Sequence, residues 1–93
     1  MSFKDNLRTA VFTTKFVIDE SSPILFVYHD EDGSWQFHGK EDNIKEADMR
    51  IVGLGEILEI DNSIWDLKDM SPGFEAFRSS KVSEWKVVSG NEN

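Results

Sequence analysis

The chain has 93 residues, 39% hydrophobic and 30% charged, a composition that predicts one globular domain over residues 1–93 with an ordered core from about residue 9 to 88. It contains no cysteine, which excludes disulfides, thiolate chemistry and cysteine-ligated zinc. The net charge is −8, and between Asp19 and Glu75 fifteen carboxylates face only four basic residues. This charge argues against nucleic-acid binding and favours a basic partner, although carboxylates also serve simply to keep a small protein soluble.

The first elements in chain order are a frayed start over residues 1–7 and a β-strand near Thr9 to Thr14. The opening residues lack the apolar region of a signal peptide, and no apolar run is long enough to span a membrane. We therefore expect a cytoplasmic protein without a membrane partner. Pro23 interrupts the chain before the next strand because it has no N–H to donate.

The most informative segment is ILFVYHDEDGSWQFHG, residues 24–39, which predicts a β-hairpin. A two-residue turn centred on Glu31 and Asp32 would place Tyr28 opposite Trp35 and Phe26 opposite Phe37. All four rings would then lie on one face, and we expect them to form the core. A three-residue loop with Gly33 at positive φ would change this register.

The second half of the chain predicts shorter elements. A loop or single helical turn is expected before Arg50, a strand over Arg50 to Val52, and a helix beginning at Gly53 or Gly55. A further helix is capped by one of three residues, Asp61, Asn62 or Ser63, and ends at Pro72 and Gly73. The segment GFEAFRSS is ambiguous, EWKVV favours a last strand, and a polar tail follows from Ser89 to Asn93.

These elements predict an α+β fold: a small, mainly antiparallel sheet of three to five strands with one or two short helices on one face. Four helical residues are expected to pack on the aromatic core: Leu54, Leu58, Ile64 and Leu67. Of the three tryptophans, we expect two to be buried and one to be partly open.

No motif in the chain indicates catalysis, a metal or a cofactor. Asp30 and Asp32 do not continue into a calcium loop, because Trp35 stands where that loop requires glycine. His29 and His38 match no zinc spacing and are not paired in the predicted register. The segment GLGE lacks the residues of a phosphate-binding loop. We therefore expect a non-enzymatic protein with no cofactor and no metal site.

The chain resembles small bacterial domains of unknown function whose relatives include immunity proteins of polymorphic toxin systems. The resemblance runs from about Val11 to Trp85, through VYHDEDGSWQFHGKED, IVGLGEILEIDNSIWDL and MSPGFEAFR. Asn62 stands where proline is expected, and Phe77 falls one residue later than the pattern's aromatic. The positions that match the pattern are Trp35, Phe37, Gly39, Glu41 or Asp42, Asp61, Ser63, Ile64, Pro72, Gly73 and Arg78.

The resemblance implies a stand-alone intracellular domain that binds another protein, with toxin neutralisation as one such role. The acidic charge is compatible with a basic, toxin-like partner. The residues expected to contact it are Asp30, Glu31, Asp32, Glu41 and Asp42. Two alternatives remain open: a small enzyme or ligand-binding module with an unrecognised pocket, and a structural domain that self-associates through an exposed edge of the hairpin.

Overall fold

The computed structural model describes residues 6–90, which contain six strands, two α-helices and two short 3₁₀ helices. In chain order the elements are β1 (Ala10–Thr14), α1 (Lys15–Asp19), β2 (Phe26–His29), β3 (Trp35–His38), the first 3₁₀ helix (Glu46–Asp48), β4 (Met49–Gly53), α2 (Leu54–Ile60), the second 3₁₀ helix (Asn62–Leu67), β5 (Phe74–Phe77) and β6 (Lys86–Ser89). Residues 1–5 and 91–93, which include most of the predicted frayed start and polar tail, lie outside the described residues.

The α+β class is confirmed, but the sheet is larger than predicted and is mixed. Its strands lie in the order β4-β1-β3-β2-β5-β6. β1 runs parallel to β3, and every other neighbouring pair within residues 6–90 is antiparallel. The parallel pair arises because β3 returns from the hairpin and inserts between β2 and β1. The predicted number of strands was too low because it omitted β5, which lies in the ambiguous segment after Gly73.

The hairpin forms, but its predicted register is wrong by one residue. The Asp30 N–H donates to the Ser34 carbonyl at 2.8 Å, and the Gly33 N–H donates to the Asp30 carbonyl at 2.9 Å. The first of these bonds closes a three-residue loop over residues 31–33. Its last residue, Gly33, has a φ of 93°, in the left-handed region that favours glycine. This loop places Val27 opposite Phe37 and His29 opposite Trp35.

The register change decides which aromatic rings form the core. Trp35 and Phe37 are buried at 1% and 0% exposure, as predicted. Phe26 is 38% exposed and Tyr28 is half-buried, so the prediction that both are core residues is wrong. Successive strand residues point to opposite faces, and the extra loop residue moved these two to the other side. Their places in the core are taken by Val27 and His29.

The helical residues predicted to cover the core do so. Leu54, Leu58, Ile64 and Leu67 are all buried in one cluster with Trp35 and Phe37. Only one tryptophan is buried, however, since Trp65 and Trp85 are both partly exposed at the margin of this cluster. The prediction of two buried tryptophans is therefore wrong.

Local hydrogen bonds set where α2 and the second 3₁₀ helix begin. The Glu56 carboxylate accepts from the Gly53 N–H at 3.0 Å, which satisfies an amide that the helix itself leaves without a partner. The Asp61 carboxylate accepts from the Ser63 N–H at 3.0 Å, so Asp61 is the N-cap among the three predicted candidates. The helix that follows is 3₁₀ rather than α.

Candidate functional site

Among the residues that the structure describes, helices cover one side of the sheet and leave the other side uncovered. Every buried helical residue within residues 6–90 belongs to the core cluster on the covered side. On the other side, one row of paired residues crosses all six strands. Its members, from β4 to β6, are Ile51, Phe12, Gln36, Tyr28, Glu75 and Val88.

We call this side the open face and include in it three neighbouring residues of the same strand faces, Phe26, His38 and Phe77. Phe26 pairs with both His38 and Phe77, so the three form a second row beside Tyr28. Phe26 and Phe77 are each 38% exposed, and Ile51 is 67% exposed. The open face is therefore an aromatic and apolar surface in contact with solvent.

A chain of polar contacts fixes side chains at the centre of the open face. The Gln36 amide nitrogen donates to the Asp30 carboxylate at 2.8 Å, which turns its amide oxygen toward His38. That oxygen accepts from His38 Nε2 at 3.0 Å, and because an amide oxygen only accepts, Nε2 carries the proton. The His38 ring in turn packs edge-on against Tyr28, with centroids 5.6 Å apart. Asp30 is thus tied to the aromatic surface.

Two ionisable groups of the open face have shifted pKa values. Burial lowers the pKa of His38, and the negative charge of Asp30 partly opposes that shift. Burial also raises the pKa of Tyr28, and the carboxylate of Glu75 adds to the effect. At neutral pH both rings are therefore uncharged, so this aromatic surface has no positive charge at its centre.

The predicted contact residues lie at the two ends of the hairpin rather than in one patch. Asp30, Glu31 and Asp32 lie at the loop between β2 and β3, whereas Glu41 and Asp42 follow β3 at the opposite end. The four-residue strands between them span roughly 13 Å at about 3.3 Å per residue. Tyr28 lies between the two groups.

Two shallow hollows connect these carboxylates to Tyr28. One, of about 310 Å³, lies among Phe26, Tyr28, His38 and the segment 39–42. The other, of about 240 Å³, lies on the opposite side and includes Asp30, Glu31 and Glu75. Since Tyr28 lines both hollows, a molecule that covers Tyr28 would contact acidic residues on either side.

The five predicted residues differ in how accessible their carboxylates are. Glu31, Asp32 and Asp42 are exposed, and Asp30 is half-buried. The Ser34 N–H donates to Asp32 at 2.9 Å, and the hydrogen bonds from Ser34 lower the pKa of Asp32. All three exposed residues belong to loops, which lie on the protein surface and often carry binding residues.

Glu41, in contrast, is turned into the protein. One carboxylate oxygen accepts from the Ser22 hydroxyl at 2.6 Å, and the other is buried without a hydrogen-bond partner. A Cβ atom on Gly39 would come within 2.7 Å of that second oxygen, so only glycine leaves room for this arrangement. Glu41 therefore holds the chain after β3 against the segment before β2, and one of its carboxylate oxygens is closed off from solvent.

The two histidines lie on opposite sides of the sheet. His29 Nδ1 lies 2.7 Å from the Met70 carbonyl oxygen, to which it donates, and its ring stacks on Trp35 with centroids 3.8 Å apart. His38 lies on the open face, so the two rings do not share a ligand position. In the part of the chain that the structure describes, no three histidine or carboxylate side chains group to hold a metal ion.

A buried polar cluster lies on the covered side and was not predicted from the sequence. Arg78, only 4% exposed, forms an ion pair with Asp61. It also donates to the Ile24 carbonyl at 2.9 and 3.0 Å and to the Ser63 hydroxyl at 3.0 Å. Its guanidinium lies 4.1 Å from the ring centre of Trp85, whose indole N–H donates to the same hydroxyl at 3.0 Å.

The electrostatics of Asp61 follow from this cluster. Burial acts to raise its pKa, but hydrogen bonds from Ser63 and Arg78 prevail and lower it. The resemblance singled out Asp61, Ser63 and Arg78 without giving them contacts. No local signal could have paired them, since Arg78 lies 15 and 17 residues from Ser63 and Asp61.

Within residues 6–90, no helix combines the length and the apolar composition needed to cross a membrane. Comparison of the chain with protein-family models, with curated proteins and with solved structures found no match.

Proposed function

We propose that this chain is a non-enzymatic protein-binding domain that binds a basic protein through the open face. The proposal rests mainly on one observation: exposed aromatic side chains of the open face lie beside carboxylates at both ends of the same hairpin. Neither feature requires a cofactor or a metal. The partner is a protein because the surface spans a whole sheet face rather than one enclosed pocket.

The aromatic residues supply the central contact. Phe26 pairs with Phe77, Tyr28 lies two residues from Phe26 on the same face of β2, and all three present surface to solvent. Aromatic side chains near the centre of an interface contribute most of the binding energy when a partner excludes water from them. The polar chain through Gln36 and His38 holds the neighbouring side chains in place, which reduces the entropy lost on binding.

The carboxylates supply the preference for a basic partner. Asp30, Glu31 and Glu75 border one hollow beside Tyr28, and Asp42 borders the other. With a net charge of −8, the chain attracts positively charged surfaces over a distance of about one Debye length. Charge complementarity of this kind mainly raises the association rate.

The specific role that we propose is neutralisation of a basic toxin in the cytoplasm. The resemblance to domains related to immunity proteins supports this role. A nuclease toxin needs a basic groove to bind its substrate, and an acidic protein that covers such a groove would block it.

The test is affinity capture from the lysate of the native host, comparing the wild-type chain with a Phe26→Gln/Phe77→Gln variant. Wild type should retain one basic protein stoichiometrically at low salt and lose most of it at high salt. The double variant should retain at least about tenfold less of this basic protein, because two central aromatic contacts are removed. Ile60→Gln is the matched control, since Ile60 is similarly exposed at 42% but lies on α2.

Charge is tested separately with the captured protein. Glu31→Gln/Asp42→Asn should slow association by up to about tenfold and weaken its salt dependence. Glu20→Gln/Glu59→Gln removes the same charge at exposed positions of the helical region and should have a smaller effect. Equal retention by Phe26→Gln/Phe77→Gln and wild type, or capture of an acidic partner only, would contradict the proposal. A captured protein whose toxicity the wild-type chain does not suppress would remove the immunity role alone.

A further inference from the structure

Among residues 6–90, only one of the two ring nitrogens of His38 takes part in a hydrogen bond. Nε2 donates to the amide oxygen of Gln36 at 3.0 Å, and Asp30 fixes the direction of that oxygen by accepting from the Gln36 amide nitrogen at 2.8 Å. Burial lowers the pKa of His38, which keeps the ring neutral at pH 7. With its proton on Nε2, the neutral ring has an unshared electron pair on Nδ1, which is therefore a hydrogen-bond acceptor.

The position of Nδ1 makes this acceptor available to a partner. Within residues 6–90 the buried side-chain polar atom that lacks a partner belongs to Glu41, so Nδ1 is not closed off from solvent. The two nitrogens of an imidazole ring point in nearly opposite directions, and Nε2 points to Gln36, two residues earlier in β3. Nδ1 therefore points away from Gln36, toward the hollow of about 310 Å³ that His38 lines together with the segment 39–42.

This hollow, which we call the aromatic hollow, favours a cationic hydrogen-bond donor. Phe26 and Tyr28 also line it, and the Tyr28 ring packs edge-on against His38 with centroids 5.6 Å apart. Asp42 adds an exposed carboxylate to its border. A carboxylate or phosphate of a partner would meet the electron pair of Nδ1 and the charge of Asp42, whereas a cationic donor complements both. The volume is at the lower end of the range for ligand pockets and suits a single side chain.

We infer that the aromatic hollow receives an arginine side chain of the partner protein. The guanidinium lies against the Tyr28 ring and donates hydrogen bonds to His38 Nδ1 and to the Asp42 carboxylate. This contact rests on the proposed function, since it belongs to the same open face, and it specifies which residue of the partner that face recognises. His38 is then a specificity-determining residue, because it supplies the acceptor within an aromatic surface.

Arginine fits this arrangement better than lysine. A guanidinium is planar, stacks on aromatic rings and presents five N–H donors in a fixed geometry, so it can serve two separate acceptors at once. A lysine ammonium is more strongly hydrated and does not stack. Lys40 also borders the hollow, and its exposed charge opposes an incoming cation. Lys40→Gln should therefore strengthen the binding of an arginine peptide by about twofold to threefold.

The first test needs no partner. Nitrogen NMR of the His38 ring in the full chain at pH 7.5 should show a protonated Nε2 and an unprotonated Nδ1. Gln36→Leu removes the acceptor for Nε2 and should allow the ring to populate both neutral forms. A wild-type ring that carries its proton on Nδ1 would overturn the inference, because the hollow would then contain a donor.

The second test uses a phage-displayed library of linear twelve-residue peptides. The library is selected on the full chain and depleted on the Phe26→Gln/Phe77→Gln variant, so that peptides bound to the open face remain, and the tightest binder is synthesised. We expect this binder to depend on an arginine. Its replacement by lysine should weaken binding by about fivefold, and its replacement by methionine, which has no donor, by at least about tenfold. Peptides that need no arginine, or that accept lysine equally well, would refute the assignment.

The contact itself is measured by a double-mutant cycle between His38 and the peptide arginine. His38→Phe keeps an aromatic ring but removes the acceptor, so it should weaken the arginine peptide by about tenfold and the methionine peptide by less than about twofold. Asp42→Asn should weaken the arginine peptide by about threefold, whereas Glu59→Gln, at an exposed position of α2, should not. Equal or tighter binding of the arginine peptide by His38→Phe would show that ring stacking alone holds it, against the inference.

These outcomes separate the arginine contact from the proposed function. If Phe26→Gln/Phe77→Gln abolishes binding but His38→Phe does not, the open face binds a protein without an arginine at His38. If arginine peptides bind through His38 but the host lysate yields no basic protein, the contact holds and the proposed partner is wrong. Circular dichroism checks the fold of each variant. Should His38→Phe unfold, the wild-type Nδ1 signal tests the same contact, since it should move with the arginine peptide and not with the methionine peptide.

Discussion

The two sides of the β2–β3 hairpin differ more than their sequences suggest. On the covered side, Trp35 and Phe37 are buried, and His29 stacks on Trp35. On the open face, Phe26 and Tyr28 reach solvent although they belong to the same hairpin. Apolar and aromatic content therefore identified the strands without identifying the side that forms the core.

The two sides also differ in how their polar groups are satisfied. On the covered side, Arg78 and Asp61 are sealed into a network with main-chain and side-chain partners. On the open face, Asp30, Gln36 and His38 form a chain that remains partly accessible to water. Breaking the first network should lower the stability of the fold more than breaking the second.

The largest expected effect is on the covered side, at Trp35. Trp35→Ala should lower the free energy of unfolding by about 3 to 5 kcal/mol, because it leaves a cavity at the centre of the core. For a domain of this size, such a loss removes a large part of the total stability. Urea denaturation measures the change, and an unaltered midpoint would refute the assignment of Trp35 to the core.

The next effect concerns the buried ion pair. Asp61→Ala should destabilise the domain by about 3 kcal/mol, since it leaves the Arg78 charge buried without its partner. The lowered pKa of Asp61 means that its contribution is present above the pKa of the unfolded chain and is lost as pH falls below about 4. Wild type should therefore lose more stability than Asp61→Ala when both are acidified from pH 5 to pH 3 in thermal melts. Parallel losses in the two proteins would show that other groups control acid unfolding.

A smaller effect is expected on the open face, at His38. Because its pKa is lowered in the folded state, the unfolded chain binds more protons as pH falls below about 6.5, and the folded state loses stability. His38→Gln should remove this dependence between pH 6.5 and pH 5, where Asp61 stays ionised. The pKa of His38 itself is measured by proton NMR titration, and a value above that of a free histidine would reverse the sign.

The smallest effect is expected at the margin of the open face. Ile51→Ala should change the free energy of unfolding by no more than about 0.5 kcal/mol, because Ile51 is 67% exposed. Val11→Ala on the neighbouring strand should lower the free energy of unfolding more than Ile51→Ala, because the Val11 side chain is fully buried. Equal losses at the two positions would mean that the open face is covered by another part of the protein in solution.

Several elements were predicted correctly because their signals are local. The strand before Lys15, the strand ending at Gly53 and the last strand after Trp85 all lie where alternation and flanking residues placed them. The helix after Gly53 was recognised from the spacing of Leu54, Ile57 and Leu58. In contrast, the residues after Gly73 did not show the alternation of a strand. Phe74 and Phe77 lie three residues apart in β5, so their side chains are on opposite faces of the sheet.

The sequence identified the residues of the predicted site but not their positions relative to one another. The acidic loop was identified, but neither the separation between Asp30 and Asp42 nor the inward orientation of Glu41 could be predicted from neighbouring residues. The hairpin edge expected to self-associate is also absent, because β2 pairs with β5 and β3 pairs with β1. Self-association itself stays a prediction, and the edges available for it are β4 and β6.

Sequence alone determined the class of fold, the hairpin, the helical residues of the core and the acidic character of the surface, because each depends on neighbouring residues or on total composition. Tertiary structure decided the register of the hairpin, the exposure of Phe26 and Tyr28 and the burial of Arg78. The physical reason is that one extra residue in the loop reverses the facing of a whole strand, while the partners of Arg78 come from positions as far away as Ile24. Such choices depend on which distant surfaces meet, and no short stretch of sequence contains that information.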